Sequence, residues 1–368
     1  MLETRVLIIG GGPAGATCGR FLAAGGMDSI IIEKDLQGEK PCGGGIPSAA
    51  FDEIGLPESL IKRKIKMIRV HPPFGSSFEI PFDSGYIGIV DRKHFDFELR
   101  QIARAEGACV MAGQFVRFIH KEKGKIISEV RAADSEGEDT FNIRSEYVIA
   151  ADGVNSRVRA ALGLKPVRAL HTLGVKAPLD TNACEFFFGG AAVSGYSWIF
   201  PSSGLSSIGT GGTDARMLKP ALERMFERIG MRTDGLRLRG YKIPLWEAEQ
   251  LRMGNILFAG DSAGSVMPFT FEGIYYAMRS GMFAAEAIKA GAPDEYPLYW
   301  KKRFRLRFTF MKGLWDLFLK NDNDTERLLN VFRSKMVQQM GIRLWLEKSN
   351  RRGSLYSFVK ALRKHLVF

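Results

Sequence analysis

Arg5-Val6-Leu7-Ile8-Ile9-Gly10-Gly11-Gly12-Pro13-Ala14-Gly15 is the stretch whose reading decides the fold. An apolar run ends in glycines, and the small residues from Pro13 to Ala24 that follow read as a helix. Ser29 to Ile32 is a second all-apolar strand, closed by Glu33. Strand, glycine-rich turn, helix, strand is the opening of a doubly wound dinucleotide fold. In Gly10-x-Gly12-x-x-Gly15 the first glycine permits the tight turn and the second lets backbone approach a pyrophosphate. The third allows close helix–strand packing, and the helix N-terminus faces the phosphate charge. Glu33 is placed to accept from a ribose hydroxyl. Ala14 and Lys34 complete the cofactor-binding set expected at this end of the chain.

Composition bounds the rest. A chain of 368 residues is long for one core, so two or three structural units are expected. Its 45% hydrophobic and 25% charged residues are those of a globular protein. Apolar runs of the ~18 residues needed to span a bilayer are absent, and residues 1–5 lack the features of a signal peptide. Cys18, Cys42, Cys109 and Cys184 have no metal or disulfide spacing. A reduced, cytoplasmic setting is expected, with no metal, and with Cys18, Cys109 and Cys184 as buried packing. Residues 301–368 hold 17 Lys or Arg against 5 Asp or Glu, which leaves 35 of each sign in residues 1–300. The whole net charge of +12 therefore lies in the C-terminal segment, interleaved with Phe, Leu and Trp. Such a segment points to an anionic surface rather than to nucleic acid, since no known readout module accompanies it.

Along the chain, Asp91 reads as the N-cap of a helix reaching about Ala105. Cys109–His120, Lys125–Ala132 and Thr140–Ala151 read as an antiparallel meander returning to the main sheet. From about Gly174 to Ile243 aromatic strands alternate with Gly/Ser turns, and Asn255–Ala259 is again a buried strand, with a helix due near Glu272. The expected architecture is α/β. A Rossmann-like, discontinuous dinucleotide-binding domain (1–70, 83–170 and 250–299) carries an inserted antiparallel-sheet substrate domain (71–82 and 171–249). A basic helical C-terminal region (300–368) follows. Gly209-Thr210-Gly211-Gly212 lies among strands, so a dedicated nicotinamide domain is not expected.

Ala150-Ala151-Asp152-Gly153 and Ala259-Gly260-Asp261-Ser262-Ala263-Gly264 each place a carboxylate at the C-terminal end of an apolar strand, where α/β sheets bind ligands. With the N-terminal glycine motif, their order resembles the flavoprotein group of aromatic hydroxylases and prenyl reductases. Lys40-Pro41-Cys42-Gly43-Gly44-Gly45 and Tyr196-Ser197-Trp198-Ile199-Phe200-Pro201 are similar to strings of its geranylgeranyl reductases, as is Glu272-Gly273-Ile274. The resemblance covers roughly residues 1–290. One departure is Val193, where the family often has proline.

The resemblance implies FAD, with Asp261 on its ribityl chain, Arg92 reaching it from a helix start and Val116 touching adenine through backbone. It adds Cys42, Gly43, Gly45, Asp152, Gly273 and Ile274 to the cofactor set. Tyr196, Trp198, Phe200 and Pro201 would line a tunnel for the prenyl chain, with Cys42, Tyr196 and Trp198 as catalytic residues. The implied reaction adds hydride and a proton to isoprenoid C=C bonds of a membrane lipid or prenylated precursor. Plainer readings exist for each: Asp152 and Asp261 as helix caps, Arg92 as a solvated charge, and the aromatic stripe as core. A flavin monooxygenase and a non-catalytic flavin-containing lipid or quinone carrier are the alternative functions. The expected partners are a prenylated lipid or prenyl diphosphate and an external electron donor, ferredoxin-like or NAD(P)H. An anionic membrane is the third. Leu355, Phe358, Leu362 and Leu366 recur at helical spacing with Lys360, Arg363 and Lys364 away from them. That helix is expected to lie in the interface, with the enzyme peripheral on the inner face of the membrane.

Overall fold

The computed structural model describes residues 1–122, 124–133, 139–191, 195–232, 235–247, 250–348 and 352–365. The chain forms two compact units, each assembled from three separate stretches.

The first unit comprises residues 1–40, 93–169 and 243–308. Strand Leu2–Ile9 lies parallel between Ser29–Glu33 and Thr140–Ala150. Cys109–Ala112 extends the parallel sheet beyond Ser29–Glu33, and Ile256–Phe258 extends it beyond Thr140–Ala150. Parallel strands covered on both faces must be apolar throughout. Ile30, Ile31 and Ile32 satisfy this, all of them buried. Past Ala112 the same strand runs on to Glu122 and pairs antiparallel with Lys125–Ala132, which pairs antiparallel with Thr140–Ser145. That is the expected meander. Helix Pro13–Ala23 packs against helix Ile274–Lys289 so closely that a Cβ at Gly281 would lie 2.1 Å from the Ala14 carbonyl oxygen. No side chain fits there.

The second unit comprises residues 41–92, 170–242 and 309–368. Its sheet runs in the order Arg239–Pro244, Ala169–Ala177, Ser206–Gly212, Ser197–Phe200, Cys184–Phe187, Met67–His71, Phe78–Pro81. It departs from the expected antiparallel character where Cys184–Phe187 lies parallel to Met67–His71. The two strands are far apart in sequence, so no hairpin constrains their direction. Helix Leu218–Arg228 covers one face, burying Leu222, Met225 and Phe226 against Phe187, Ile199 and Ile208. Residues 41–70 and 83–92, expected with the FAD-binding domain, fall in this unit, as do residues 309–368.

Two expectations fail on burial. Cys109 is exposed, because it opens its strand at the end of the sheet, whereas Cys18 and Cys184 are buried as expected. The apolar stripe of helix Arg352–His365 faces the protein. Phe358 and Leu362 are buried, and Phe358 packs on Phe310 and Phe332. Leu366 lies outside the described residues. No helix among the described residues is long and apolar enough to cross a membrane.

Candidate functional site

In the first unit the glycine turn is built as a cradle. Gly10 has φ +103°, and a Cβ there would lie 2.3 Å from the Ala151 carbonyl oxygen. Gly15 is equally constrained, with a Cβ only 1.9 Å from the oxygen of Gly10. Gly12 differs, since a Cβ there would meet nothing within 4 Å. Two glycines are thus fixed by protein packing, while the middle one faces open space at the start of helix Pro13–Ala23. Ala14 stands in the first turn, whose amides lack intrahelical acceptors. That combination fits a pyrophosphate.

Glu33 ends its strand with Oε2 accepting from the Gly11 amide at 2.7 Å and Oε1 from the Asp35 amide at 3.2 Å. Each carboxylate oxygen retains a lone pair for a ribose hydroxyl. Neighbouring Lys34 is exposed. Arg100 is a residue the sequence reading missed. Its buried guanidinium donates to the carbonyls of Gly11 at 3.1 Å and Leu36 at 2.8 Å, tying the turn to the segment after Glu33. Burial draws its pKa down, while Asp96 and Glu33 oppose the shift. Amphipathic spacing in helix Arg92–Ala105 would not have marked it, because its partners are backbone carbonyls distant in sequence.

Val116 is the extra residue of a bulge between the Phe115–Val130 and Arg117–Glu129 pairs. A bulged residue is left out of the ladder.

Asp261 lies in the turn Gly260–Ala263 after strand Ile256–Phe258, and its side chain is only 10% exposed. Its Oδ2 is paired with Lys40 Nζ. Gly273 and Ile274 open the helix beside it, Gly273 close enough that a Cβ would be 3.7 Å from Asp261 Oδ1. Phe269 and Phe271, in the loop before that helix, both have positive φ, at 71° and 53°. Bulky residues adopt such conformations only where the surroundings impose them, and these cluster at functional sites.

Asp152 behaves differently from Asp261. Its carboxylate accepts from Ser156 Oγ at 2.7 Å and from the Val158 amide at 3.0 Å, fastening helix Arg157–Ala161. Burial raises its pKa against those hydrogen bonds. The side chain does what the plainer reading expected, and Asp152's backbone abuts Gly10.

In the second unit the two uncommon strings meet. Ring atoms of Phe200 would lie 2.6 Å from a Cβ at Gly43 and 2.6 Å from one at Gly45. The loop is glycine-rich because an aromatic ring covers it. Gly44, with φ +75°, turns the loop, and its amide lies 3.4 Å from Cys42 Sγ. Ser207 Oγ donates to the Cys42 carbonyl at 3.2 Å. Cys42 is half-buried. Arg92, expected on the cofactor, is buried rather than solvated.

Strand Ser197–Phe200 divides its side chains between two faces. Ile199 joins the core beneath helix Leu218–Arg228. Tyr196 and Phe200 pack edge-on around Phe186, with centroids at 5.2 and 5.7 Å, and Trp198 lies 6.5 Å from Tyr196. Pro201 ends the strand, buried. The hub of this cluster, Phe186, was not expected. Neither was Trp345, which reaches it edge-on at 6.3 Å from helix Lys335–Leu346. Val193 lies outside the described residues.

These features are those of a flavoprotein, and comparison with known proteins decides the family. A model of the FAD binding domain matches residues 3–218. The geranylgeranyl diphosphate reductase of Rhodobacter capsulatus is 31% identical across 93% of this chain and 91% of its own length. The chain belongs to the geranylgeranyl reductase family. A digeranylgeranylglycerophospholipid reductase of Thermoplasma acidophilum is 29% identical over 77% of each chain. The crystal structure of a geranylgeranyl bacteriochlorophyll reductase-like protein from the same organism shares the fold. It has a TM-score of 0.83 at 24% identity, covering 100% of this chain and 97% of that one. As a member of this family the chain is an FAD-dependent oxidoreductase, and the turn at Gly10–Gly15 with Glu33 and Asp261 fits that cofactor.

Proposed function

We propose that this reductase saturates C=C bonds of a geranylgeranyl group. The observation that carries the reading is the packing of Phe200 onto Gly43 and Gly45, with Phe186 edge-on to both Phe200 and Tyr196 and with Trp198 beside Tyr196. Adding hydride and a proton to an unactivated trisubstituted alkene develops positive charge on the tertiary carbon. Aromatic faces stabilise a cation without offering a nucleophile to trap it. Tyr196, Trp198 and Phe200 supply such faces, and Pro201 ends the wall. FAD, when bound and reduced, supplies the hydride. Gly12, Ala14 and Gly15 receive its pyrophosphate, Glu33 its ribose and Asp261 its ribityl chain. Arg92, Lys34, Val116, Asp152, Gly273 and Ile274 complete the contacts. Cys42 serves at the flavin by holding or moving a proton at Sγ.

One relative is a geranylgeranyl diphosphate reductase and another a digeranylgeranylglycerophospholipid reductase, and the geranylgeranyl group is what the two share. Electrons come from outside, from a ferredoxin-like carrier or NAD(P)H. The enzyme works peripherally at the cytoplasmic face of the membrane. A prenyl chain passing through water would forfeit ~0.8 kcal/mol per CH₂, so extraction directly from the bilayer is favoured.

Anaerobic incubation of dithionite-reduced protein with each substrate, followed by mass spectrometry, tests the reading. Each reduced bond adds two hydrogens, with matching flavin reoxidation. Unchanged lipid masses and a flavin that stays reduced would overturn it. Oxygen-dependent hydroxylation of an aromatic compound would make the protein a monooxygenase instead.

A further inference from the structure

Helix Glu295–Phe318 has two faces of opposite character. Tyr296, Trp300, Phe304 and Phe308, each four residues from the last, are fully buried. On the other side Leu306 and Leu317 are 62% and 60% exposed, and Leu298 is 53% exposed. Single exposed leucines are ordinary. These are not scattered. Leu306 and Leu317 are eleven residues apart, just over three whole turns, so they fall on one line about 16 Å long. Lys302 lies along one side of that line, with Lys320 just past the helix end, and both are exposed. Arg303 lies along the other side, its guanidinium 5.9 Å from the Phe304 ring centroid. Lys301 and Arg305 add two further exposed cations. The acid on this side, Asp316, is paired with Lys312 at 2.7 Å.

We infer that this ridge is the surface by which the protein docks on an anionic bilayer, Leu306 and Leu317 entering the headgroup region between the cations. The inference deepens the membrane reading given above and rests on it. It moves the contact away from helix Arg352–His365, whose apolar residues Phe358 and Leu362 are buried inside the protein. Charge complementarity selects the occupant. Lysine and arginine flanking an apolar line match anionic headgroups over an acyl boundary. A straight ridge also suits a flat surface better than a groove.

The test is co-sedimentation of the FAD-loaded protein with vesicles of phosphatidylcholine alone or mixed with phosphatidylglycerol. Binding should require phosphatidylglycerol and weaken with salt. Leu306→Ser combined with Leu317→Ser, which leaves the charge untouched, should lower the partition coefficient on the order of tenfold. Lys302→Gln and Lys320→Gln should each lower it about fivefold. Lys360→Gln with Lys364→Gln should have a smaller effect than either. Flavin absorbance and circular dichroism check that each variant is folded. Binding of the double leucine variant equal to that of the native protein would overturn the proposal. So would a larger loss from the Lys360 and Lys364 pair. Loss of flavin reduction by an acidic electron-carrier protein, with vesicle binding unaltered, would assign the ridge to that protein instead. Reduction of a detergent-solubilised geranylgeranyl substrate should survive in every variant. Should the native protein fail that assay yet show the vesicle pattern, the reductase reading falls and the docking surface stands.

Discussion

The two late carboxylates show what a single residue can and cannot declare in sequence. Asp152 and Asp261 each follow an apolar strand and precede a glycine-flanked turn, and the sequence treats them alike. Folded, Asp152 fastens a helix, whereas Asp261 faces Lys40. Nothing in local spacing separates the two, because the difference lies in whether a neighbouring helix start needs a cap. Asp261→Ala should weaken FAD retention by ~1.5–3 kcal/mol through loss of a hydrogen bond to a charged group. Lys40→Met should weaken it less, since the lysine acts by orienting Asp261. Equilibrium dialysis of FAD against both single variants and the double one measures this coupling. Additive losses would mean that Lys40 contributes nothing through Asp261. Glycines carry a related lesson. The sequence marks Gly43 and Gly45 as permitting close approach, but not that the approaching group is Phe200. Gly43→Ala should therefore push the ring aside at ~1–3 kcal/mol of stability. FAD occupancy should persist while flavin reoxidation by prenyl substrate slows. A variant that loses flavin first would place the loop at the cofactor alone.

Elements were legible where their period was simple. The strand at Leu2–Ile9, the helix at Pro13–Ala23, the meander and the late strand stand where apolar patterning puts them. Pairing direction was not legible between distant strands. The parallel pair Met67–His71 and Cys184–Phe187 is crosslinked by Glu185, whose Oε2 lies 2.7 Å from His71 Nε2 and whose Oε1 accepts from Arg69 at 2.8 Å. Thr181 Oγ1 also donates to Oε1, at 2.7 Å. Burial alone would raise the Glu185 pKa, but His71, Thr181 and Arg69 outweigh it and the net shift is downward. A depressed carboxylate adds stability that is present above its unfolded pKa and is lost as pH falls through the folded value. The acid limb of a thermal-stability profile, below pH ~4, should flatten in Glu185→Gln. At neutral pH that variant should melt lower, because a buried ion pair has lost one partner. Identical acid limbs in the two proteins would remove Glu185 from the explanation. Trp345 and Phe186 were missed for a matching reason. An amphipathic period tells that a helix packs, not which strand it packs on.

At the scale of the whole molecule, the chain passes between its two units five times, at residues 40/41, 92/93, 169/170, 242/243 and 308/309. The sequence made the discontinuity visible through the change of texture after Gly174, but not the early crossing at residue 40. There a short glycine-rich loop carries no compositional boundary. This threading has a thermodynamic consequence that does not depend on how the units are arranged. While one unit is folded, it holds the ends of the other unit's segments at fixed positions and so lowers the entropy cost of closing them. Unfolding one unit releases that constraint and destabilises the other. The residues that fit pyrophosphate, ribose and ribityl chain, Gly12, Glu33 and Asp261, all belong to the first unit. At about a hundredfold excess over its Kd, FAD stabilises whatever it binds by ~2.7 kcal/mol. Threading predicts that this gain is transmitted to the second unit. Hydrogen exchange followed by mass spectrometry across a temperature series can read the units separately. Peptides spanning Val6–Ile9 report on the first unit and those spanning Ser197–Phe200 on the second. Added FAD should raise the temperature of exposure for both sets by a similar amount. Asp261→Ala should lower both together at limiting FAD. If the Ser197–Phe200 peptides open at an unchanged temperature while those of the first strand are protected, the five crossings do not couple the units. The second unit then folds on its own contacts, with helix Leu218–Arg228 and the aromatic cluster around Phe186 sufficient to hold it.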